Sequence, residues 1–125
     1  MAIVRGLHHA SFSVHDLARA RRFYGEILGL EEIARPGFPF DGTWYRAGDS
    51  QVHLIVAPPE VDLGARPPRP HPLAPHTAFA IDDYDAVRTR LKTHGLEPIE
   101  APAFGQMWVA DPDGHVIELI APVRP

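Results

Sequence analysis

Four residues that could bind a metal ion occupy matched places in the two halves of this 125-residue sequence. His9 and His76 each stand seven residues before an aspartate, and they lie 67 positions apart. Adding the same offset to His53 gives position 120, two residues from Glu118. Imidazole and carboxylate groups are common protein ligands of divalent transition metals. The spacing therefore predicts a metal site with these four residues as ligands, or with His9, His76 and Glu118 alone.

Glu118 interrupts an apolar stretch, residues 115–120, that follows the turn sequence Asp-Pro-Asp-Gly. Side chains alternate across a strand, so Glu118 shares a face with Val116 and Ile120. Burying a carboxylate between apolar neighbours costs free energy unless a partner compensates. A metal ion, an arginine or a catalytic role would each explain the residue, and so would a sheet face that is open to water.

The other histidines are expected to contribute less to such a site. His8 alternates with His9, so it should point to the opposite face of the same strand. Four more lie in turns or in a proline-rich segment, where contact with solvent is the simpler explanation; they are His15, His71, His94 and His115.

Two copies of a β-α-β-β-β pattern would position the candidate ligands. In each copy a strand containing the histidine comes first, and an aspartate then caps a helix. Apolar residues at helical spacing reach Leu28 in the first helix, which Gly29 ends, and the second helix is expected to bury Ala86, Val87 and Leu91. The predicted strands span residues 7–14, 30–35, 43–47, 51–56, 76–81, 96–100, 105–110 and 115–120.

The pattern predicts one α+β domain over residues 1–125. Module 1 covers about 5–57 and module 2 about 76–121, and residues 58–75, which contain seven prolines, form the linker. Packed edge to edge, the modules would form one curved, eight-stranded mixed sheet.

Composition excludes several classes of protein. The sequence has no cysteine, so disulfides, thiolate metal sites and cysteine nucleophiles are absent. A formal net charge of −4 gives no basic surface for nucleic acid, and no apolar run approaches the length of a membrane helix. We expect a globular, cytoplasmic protein whose partner is a small molecule.

The sequence resembles the vicinal oxygen chelate superfamily over nearly its whole length. The resemblance rests on the spacing His9-x6-Asp-Leu, on Phe23-Tyr-Gly25 and Leu28-Gly-Leu30, and on Asp111-Pro-Asp-Gly-x3-Glu118. This superfamily includes glyoxalase I, extradiol dioxygenases, fosfomycin-resistance thiol transferases, methylmalonyl-CoA epimerase and the metal-free bleomycin-binding proteins. It implies a glyoxalase-like fold and a homodimer, in which modules are sometimes exchanged between subunits.

The resemblance also implies roles for the candidate ligands. His9, His76 and Glu118 match three metal-ligand positions, and His53 stands where bacterial glyoxalase I enzymes carry a glutamate. The expected cofactor is a divalent Ni, Co, Zn, Fe or Mn ion. The expected activity is glyoxalase-like lyase or isomerase chemistry, in which the ion binds neighbouring substrate oxygens and stabilises an enediolate-like oxyanion, with Glu118 as the catalytic base.

Two alternatives to that activity remain. The same metal site would suit a dioxygenase or a fosfomycin-type thiol transferase, because a set with one carboxylate fits those reactions as well. A metal-free protein that binds or sequesters a ligand, of the bleomycin-resistance type, is the other possibility.

Substrate-contacting residues are less constrained by the sequence. Trp44, Phe104 and Trp108 are candidates to line an apolar pocket, although aromatic residues of this kind also fill cores and dimer contacts. Arg46 is a candidate to pair with an anionic group of the substrate.

Overall fold

The computed structural model describes residues 1–123, so the last two residues of the predicted domain lie outside the described part. The chain divides into two compact units, residues 1–63 and 64–125. Each unit contains one β-α-β-β-β module with its own four-stranded mixed sheet, which confirms the predicted α+β class and the paired modules. The eight strands lie in two sheets.

The first unit contains module 1. Its elements are β1 (His9–Val14), α1 (Leu17–Arg21), a π-helical segment (Arg22–Ile27), β2 (Glu31–Ile33), β3 (Gly42–Ala47) and β4 (Ser50–Val56). The strand order is β1-β4-β3-β2, with β1 and β4 parallel and the other pairs antiparallel. The first and last strands of the module are therefore hydrogen-bonded neighbours.

The helical stretch of module 1 begins as predicted and then departs from an α-helix. The Asp16 side chain accepts the backbone N–H of Arg19 at 3.0 Å and so caps the helix. From Arg22 onward the turns widen, and the Leu28 N–H bonds the carbonyl of Phe23, five residues earlier. The apolar spacing in the sequence had predicted a regular α-helix over this stretch.

The second unit contains module 2. Its elements are β5 (His76–Ala80), α2 (Tyr84–Thr93), β6 (Ile99–Ala101), a 3-10 turn (Pro102–Phe104), β7 (Gln106–Ala110) and β8 (Val116–Ile120). The order β5-β8-β7-β6 repeats that of the first sheet. The first and last strands of the module, β5 and β8, are again parallel neighbours, and the other pairs are antiparallel. No helix within residues 1–123 is long and apolar enough to cross a membrane.

Burial in α2 corrects one prediction from the sequence. Asp83 caps the helix by accepting the Ala86 N–H at 3.0 Å. Leu91 is buried and Val87 is half-buried, but Ala86 is exposed. Ala86 lies in the first turn of the helix, beside its cap, so its side chain projects toward solvent.

Each sheet has one face that packs its core and one that carries polar side chains. In module 1, residues such as Val14, Tyr45 and Leu54 are buried, and the residues that alternate with them include His9 and His53. In module 2, Met107, Val109, Ile117 and Leu119 are buried on the core face. His76, Trp108 and Glu118 lie on its polar face. The candidate ligands therefore occupy matching faces of the two sheets.

Candidate functional site

The strand registers place His53 and Glu118 at equivalent positions. In the parallel pair of module 1, His53 lies opposite the residue two positions after His9. In module 2, Glu118 lies opposite the residue two positions after His76. The offset between the modules is 67 in their first strands and 65 in their last strands. The two-residue difference between these offsets thus arises in the segments that connect the strands. The strand positions of His53 and Glu118 themselves correspond.

A tryptophan lies beside each of these two residues. Trp44 is the antiparallel partner of His53, and Trp108 is the antiparallel partner of Glu118. Directly opposed side chains on one face of a sheet are close enough for contact. Each module therefore presents a first-strand histidine, a last-strand ligand candidate and a tryptophan on its polar face.

In module 2 the Glu118 carboxylate is buried and extensively hydrogen-bonded. Only 5% of the residue is exposed. Its Oε1 lies 3.0 Å from His76 Nε2 and accepts the Trp108 Nε1–H at 3.0 Å. Its Oε2 accepts the amide N–H of Gln106 at 3.3 Å. These contacts explain how a carboxylate can stand in an apolar strand, which was the difficulty raised by the sequence.

Both ring nitrogens of His76 face hydrogen-bond acceptors. Nδ1 lies 2.7 Å from the carbonyl oxygen of Ala74, which can only accept, so Nδ1 carries a proton. In a neutral ring Nε2 would then present a lone pair to the Glu118 oxygen. A hydrogen-bond donor on either atom, or a cation bound by both, would satisfy this contact. A backbone carbonyl that fixes the distal ring nitrogen is also the usual support of a metal-bound histidine.

In module 1 the imidazoles are held mainly by stacking. The His53 ring stacks on Trp44 with centroids 3.9 Å apart and on His9 with centroids 4.1 Å apart. Its Nε2 lies 2.8 Å from the side-chain oxygen of Gln51. Nε2 therefore donates to that oxygen, and Nδ1 keeps the free lone pair. His9 in turn has its Nδ1 2.8 Å from that of His8.

The pKa of His53 is lowered by its surroundings. Burial is the largest cause, because it disfavours the charged ring, and the positive charges of His9 and His8 act in the same direction. A lowered pKa keeps the imidazole neutral near pH 7, which is the form that binds metals.

In module 2, two donor atoms have the spacing of ligands on one divalent ion. Two ligand atoms that each lie about 2.1 Å from one ion, at roughly a right angle, are about 3 Å apart. His76 Nε2 and Glu118 Oε1 have that separation, 3.0 Å. Within residues 1–123, neither unit by itself groups three His, Asp or Glu side chains as metal ligands. Each unit thus offers two of the four predicted ligands.

The predicted substrate-contacting residues have different surroundings. Trp44 and Arg46 lie on the polar face of the first sheet. Trp108 is 6% exposed, and its N–H is already bonded to Glu118. Phe104 lies on the 3-10 turn of module 2 and is 68% exposed.

Three supporting groups were not predicted from the sequence: the Gln51 and Gln106 side chains and the Ala74 carbonyl. Gln51 lies two positions before His53 and Gln106 two positions before Trp108, so strand alternation gave a signal for both.

Comparison with known proteins gives a consistent result. The model of the Glyoxalase/Bleomycin resistance protein/Dioxygenase superfamily matches residues 6–119. The chain is 30% identical over 128 residues to the uncharacterized protein YaeR of Escherichia coli K12, covering 93% of this chain and 95% of YaeR. It is 28% identical over 131 residues to the glutathione transferase FosA of Serratia marcescens, covering 94% of this chain and 81% of FosA.

A solved structure shows the same fold. A variant of the fosfomycin resistance protein FosX from Listeria monocytogenes superposes with a TM-score of 0.75 at 22% identity, covering 95% of this chain and 93% of that chain. That FosX crystal contains Mn(II) and 1S,2S-dihydroxypropylphosphonic acid. The glyoxalase-like fold predicted from the sequence is confirmed.

Proposed function

Because the chain belongs to the glyoxalase, bleomycin resistance protein and dioxygenase superfamily, we propose that it is a divalent-metal-dependent enzyme of the glyoxalase type. Its substrate would be a small molecule with two neighbouring oxygens. The observation that carries this proposal is the His76–Glu118 pair, in which a buried carboxylate and an imidazole nitrogen lie 3.0 Å apart. The backbone carbonyl of Ala74 orients that imidazole from its other side.

The proposed ligands are His9, His53, His76 and Glu118, supplied by the two modules of one chain or by modules of two chains. Nitrogen and oxygen ligands of this kind suit Ni, Co, Zn, Fe or Mn. A divalent ion held there would supply Lewis-acid stabilisation of negative charge that develops on a substrate oxygen. The equivalence of the two strand registers supports a ligand set drawn from both modules.

The two oxygens of Glu118 suit different tasks. Oε1 lies against both His76 and Trp108, which suits the oxygen that serves as a ligand. Oε2 has the longer contact, 3.3 Å to the Gln106 amide, and so keeps more capacity to accept a proton. We assign to Oε2 the transfer of a proton between adjacent substrate carbons, as in lyase or isomerase chemistry.

A thiol transferase of the fosfomycin-resistance type is the second candidate. The relative that favours it is the glutathione transferase FosA, at 28% identity. This reaction would use the same ligands, but it needs no base that moves a proton between substrate carbons. The role of Glu118 Oε2 therefore separates the two candidates.

The test is a metal titration followed by turnover. Purified protein is loaded with Mn(II), Zn(II), Ni(II), Co(II) or Fe(II), and binding is measured by calorimetry and by the rise in melting temperature. Each loaded form is then assayed with methylglyoxal plus glutathione and with fosfomycin plus glutathione. We expect about one ion per chain and turnover of the first substrate pair, and Glu118→Gln should lower kcat by about a thousandfold or more.

His94→Ala is the matched control, because His94 caps the C-terminus of α2 and is not a proposed ligand. It should keep both ion binding and turnover. Ion binding with turnover of fosfomycin alone would favour the transferase. Protein that binds none of the ions would exclude the metal-dependent enzyme and leave the ligand-sequestering alternative.

We also propose that the enzyme is a homodimer, as its family resemblance implies. Light scattering coupled to gel filtration should give a mass near twice 13.8 kDa. A monomer mass would restrict the ligand set to the two modules of one chain.

A further inference from the structure

We infer that Trp108 is a positioning residue, which fixes the orientation of the Glu118 carboxylate and assigns its two oxygens to different tasks. The inference rests on the proposed function, because it concerns how one of the proposed ligands is held. Trp108 had been a candidate for substrate contact, and its hydrogen bond points to this other role.

A hydrogen bond between two buried residues joins Trp108 to Glu118. The Trp108 Nε1–H donates to Glu118 Oε1 at 3.0 Å, and both residues are more than nine-tenths buried. An indole N–H is a donor with a fixed direction, since the ring has no other polar atom. A hydrogen bond from a buried donor to a charged acceptor is among the stronger kinds in proteins. Trp108 thus supplies the most rigid of the side-chain contacts to Glu118.

The side-chain contacts of Glu118 are divided unequally between its two carboxylate oxygens. Oε1 has Trp108 and His76, each at 3.0 Å, whereas Oε2 has the flexible Gln106 amide at 3.3 Å. The last torsion of a glutamate has a broad, nearly two-fold profile, so the carboxylate by itself does not distinguish its oxygens. The indole N–H supplies that distinction. It keeps Oε1 beside His76 and leaves Oε2 as the oxygen with spare capacity.

The tryptophan at the equivalent position in module 1 has a different orientation. Trp44 occupies the same place beside His53, but there the indole lies flat on the imidazole, with an angle of 4° between the rings. The edge-on hydrogen bond of Trp108 is therefore specific to the carboxylate and is not imposed by the strand pairing. The ligand at this position decides how the tryptophan is used.

The test replaces Trp108 with phenylalanine, which keeps an aromatic ring and removes the N–H. We expect Trp108→Phe to bind Mn(II) and Zn(II) 10- to 100-fold more weakly, the usual effect of losing a group that orients a metal ligand. Val109→Ala is the control, because Val109 is a buried core residue on the opposite face of the same strand. It should lower the melting temperature and leave the dissociation constants of both ions unchanged.

Fluorescence gives a second measurement that does not need the Trp108→Phe protein to fold. The chain has two tryptophans, so Trp44→Phe leaves Trp108 as the only tryptophan. Titration of that protein with Zn(II) should change the Trp108 emission with the midpoint found by calorimetry. Adding Glu118→Gln should abolish the change.

The outcomes separate this inference from the proposed function. Equal dissociation constants for wild type and Trp108→Phe, or Trp108 emission that ignores a bound ion, would overturn the positioning role alone. Wild-type protein that binds neither ion would overturn the proposed function, and the positioning role with it.

Discussion

The two modules have the same strand order and the same placement of tryptophan beside the candidate ligand of the last strand, yet they hold that side chain differently. In module 2, Glu118 accepts hydrogen bonds from Trp108 and Gln106 and lies 3.0 Å from His76 Nε2. In module 1, His53 is stacked between two rings and has one side-chain hydrogen bond. The backbone therefore specifies where a ligand stands, and the residue type specifies how its donor atom is oriented.

In the proposed metal site, the different contacts of the two modules would affect how readily each pair of side chains binds an ion. Imidazole lone pairs lie in the ring plane, and the rings of His9 and His53 are inclined by only 19° with centroids 4.1 Å apart. Nearly parallel planes do not meet at a nearby point, so one ring must turn before both can bind one ion. The His76–Glu118 pair already has its donor atoms at ligand spacing. In the proposed metal site, module 2 would be preorganised, and module 1 would require a rearrangement that lowers its net contribution to affinity.

The largest expected effect tests this difference directly. His76→Ala should weaken Mn(II) or Zn(II) binding by about a hundredfold or more, and His53→Ala by about tenfold, because the loss of a preorganised ligand forfeits more binding free energy. Competition with a chelator of known affinity would measure both dissociation constants. Equal losses for the two variants would show that the stacked imidazoles are as ready to bind as the hydrogen-bonded pair.

A smaller effect concerns the half-buried tyrosine of module 2. The Tyr84 hydroxyl donates to Glu100 at 3.0 Å. Burial, followed by the hydrogen bond and the negative charge of Glu100, raises the pKa of Tyr84 from 10.0 to about 12. Tyr84→Phe should therefore lower the free energy of unfolding by about 1.5 kcal/mol at pH 7, as for a hydrogen bond to a charged group.

The pH dependence of that difference has a definite direction. Because the folded pKa lies above the unfolded one, the stabilisation by Tyr84 is complete below pH 10 and is lost as the pH rises through about 12. Urea unfolding of wild type and Tyr84→Phe at several pH values should show the two curves converging over that interval. A difference that stays constant up to pH 12 would contradict the assignment. Module 1 offers a comparison in Tyr45, whose pKa is raised mainly by burial.

The smallest expected effects should be equal in the two modules. Asp16 and Asp83 each cap their helix by accepting a backbone N–H at 3.0 Å. Asp16→Ala and Asp83→Ala should each cost about 1 kcal/mol of unfolding free energy. Thermal or urea unfolding would measure both. A large inequality would show that the widened turns after α1 change how module 1 depends on its cap.

The sequence predicted the features of the fold that are set locally. The seven-residue spacing from histidine to aspartate located the first strand and the helix cap in both modules. Strand alternation in β1 puts Phe12 and Val14, which are both buried, on the face opposite His9. The Asp-Pro-Asp-Gly turn also forms, with the Gly114 N–H bonded to the Asp111 carbonyl at 3.0 Å. Each of these depends on residues that are close in the chain.

The sequence did not reveal contacts that depend on pairing between strands. The bond from Trp108 to Glu118 joins neighbours whose alignment is set by the length of the connection between β7 and β8, and periodicity alone does not fix it. The π-helical segment was missed because its apolar residues have the same spacing as those of an α-helix. The roles of the candidate ligands stay predictions that the metal titrations test.

The widened helix of module 1 accounts for a one-residue difference in length between the two modules. Thirteen positions separate Asp16 from Gly29, whereas twelve separate Asp83 from Gly95. Both aspartates cap a helix, and both glycines have positive φ, 74° and 79°, beyond its end. A π turn takes up one more residue than an α turn, so a single inserted amino acid is absorbed without moving either end. The extra residue of module 1 is thus accommodated inside its helix, and the strand registers of the two modules still correspond.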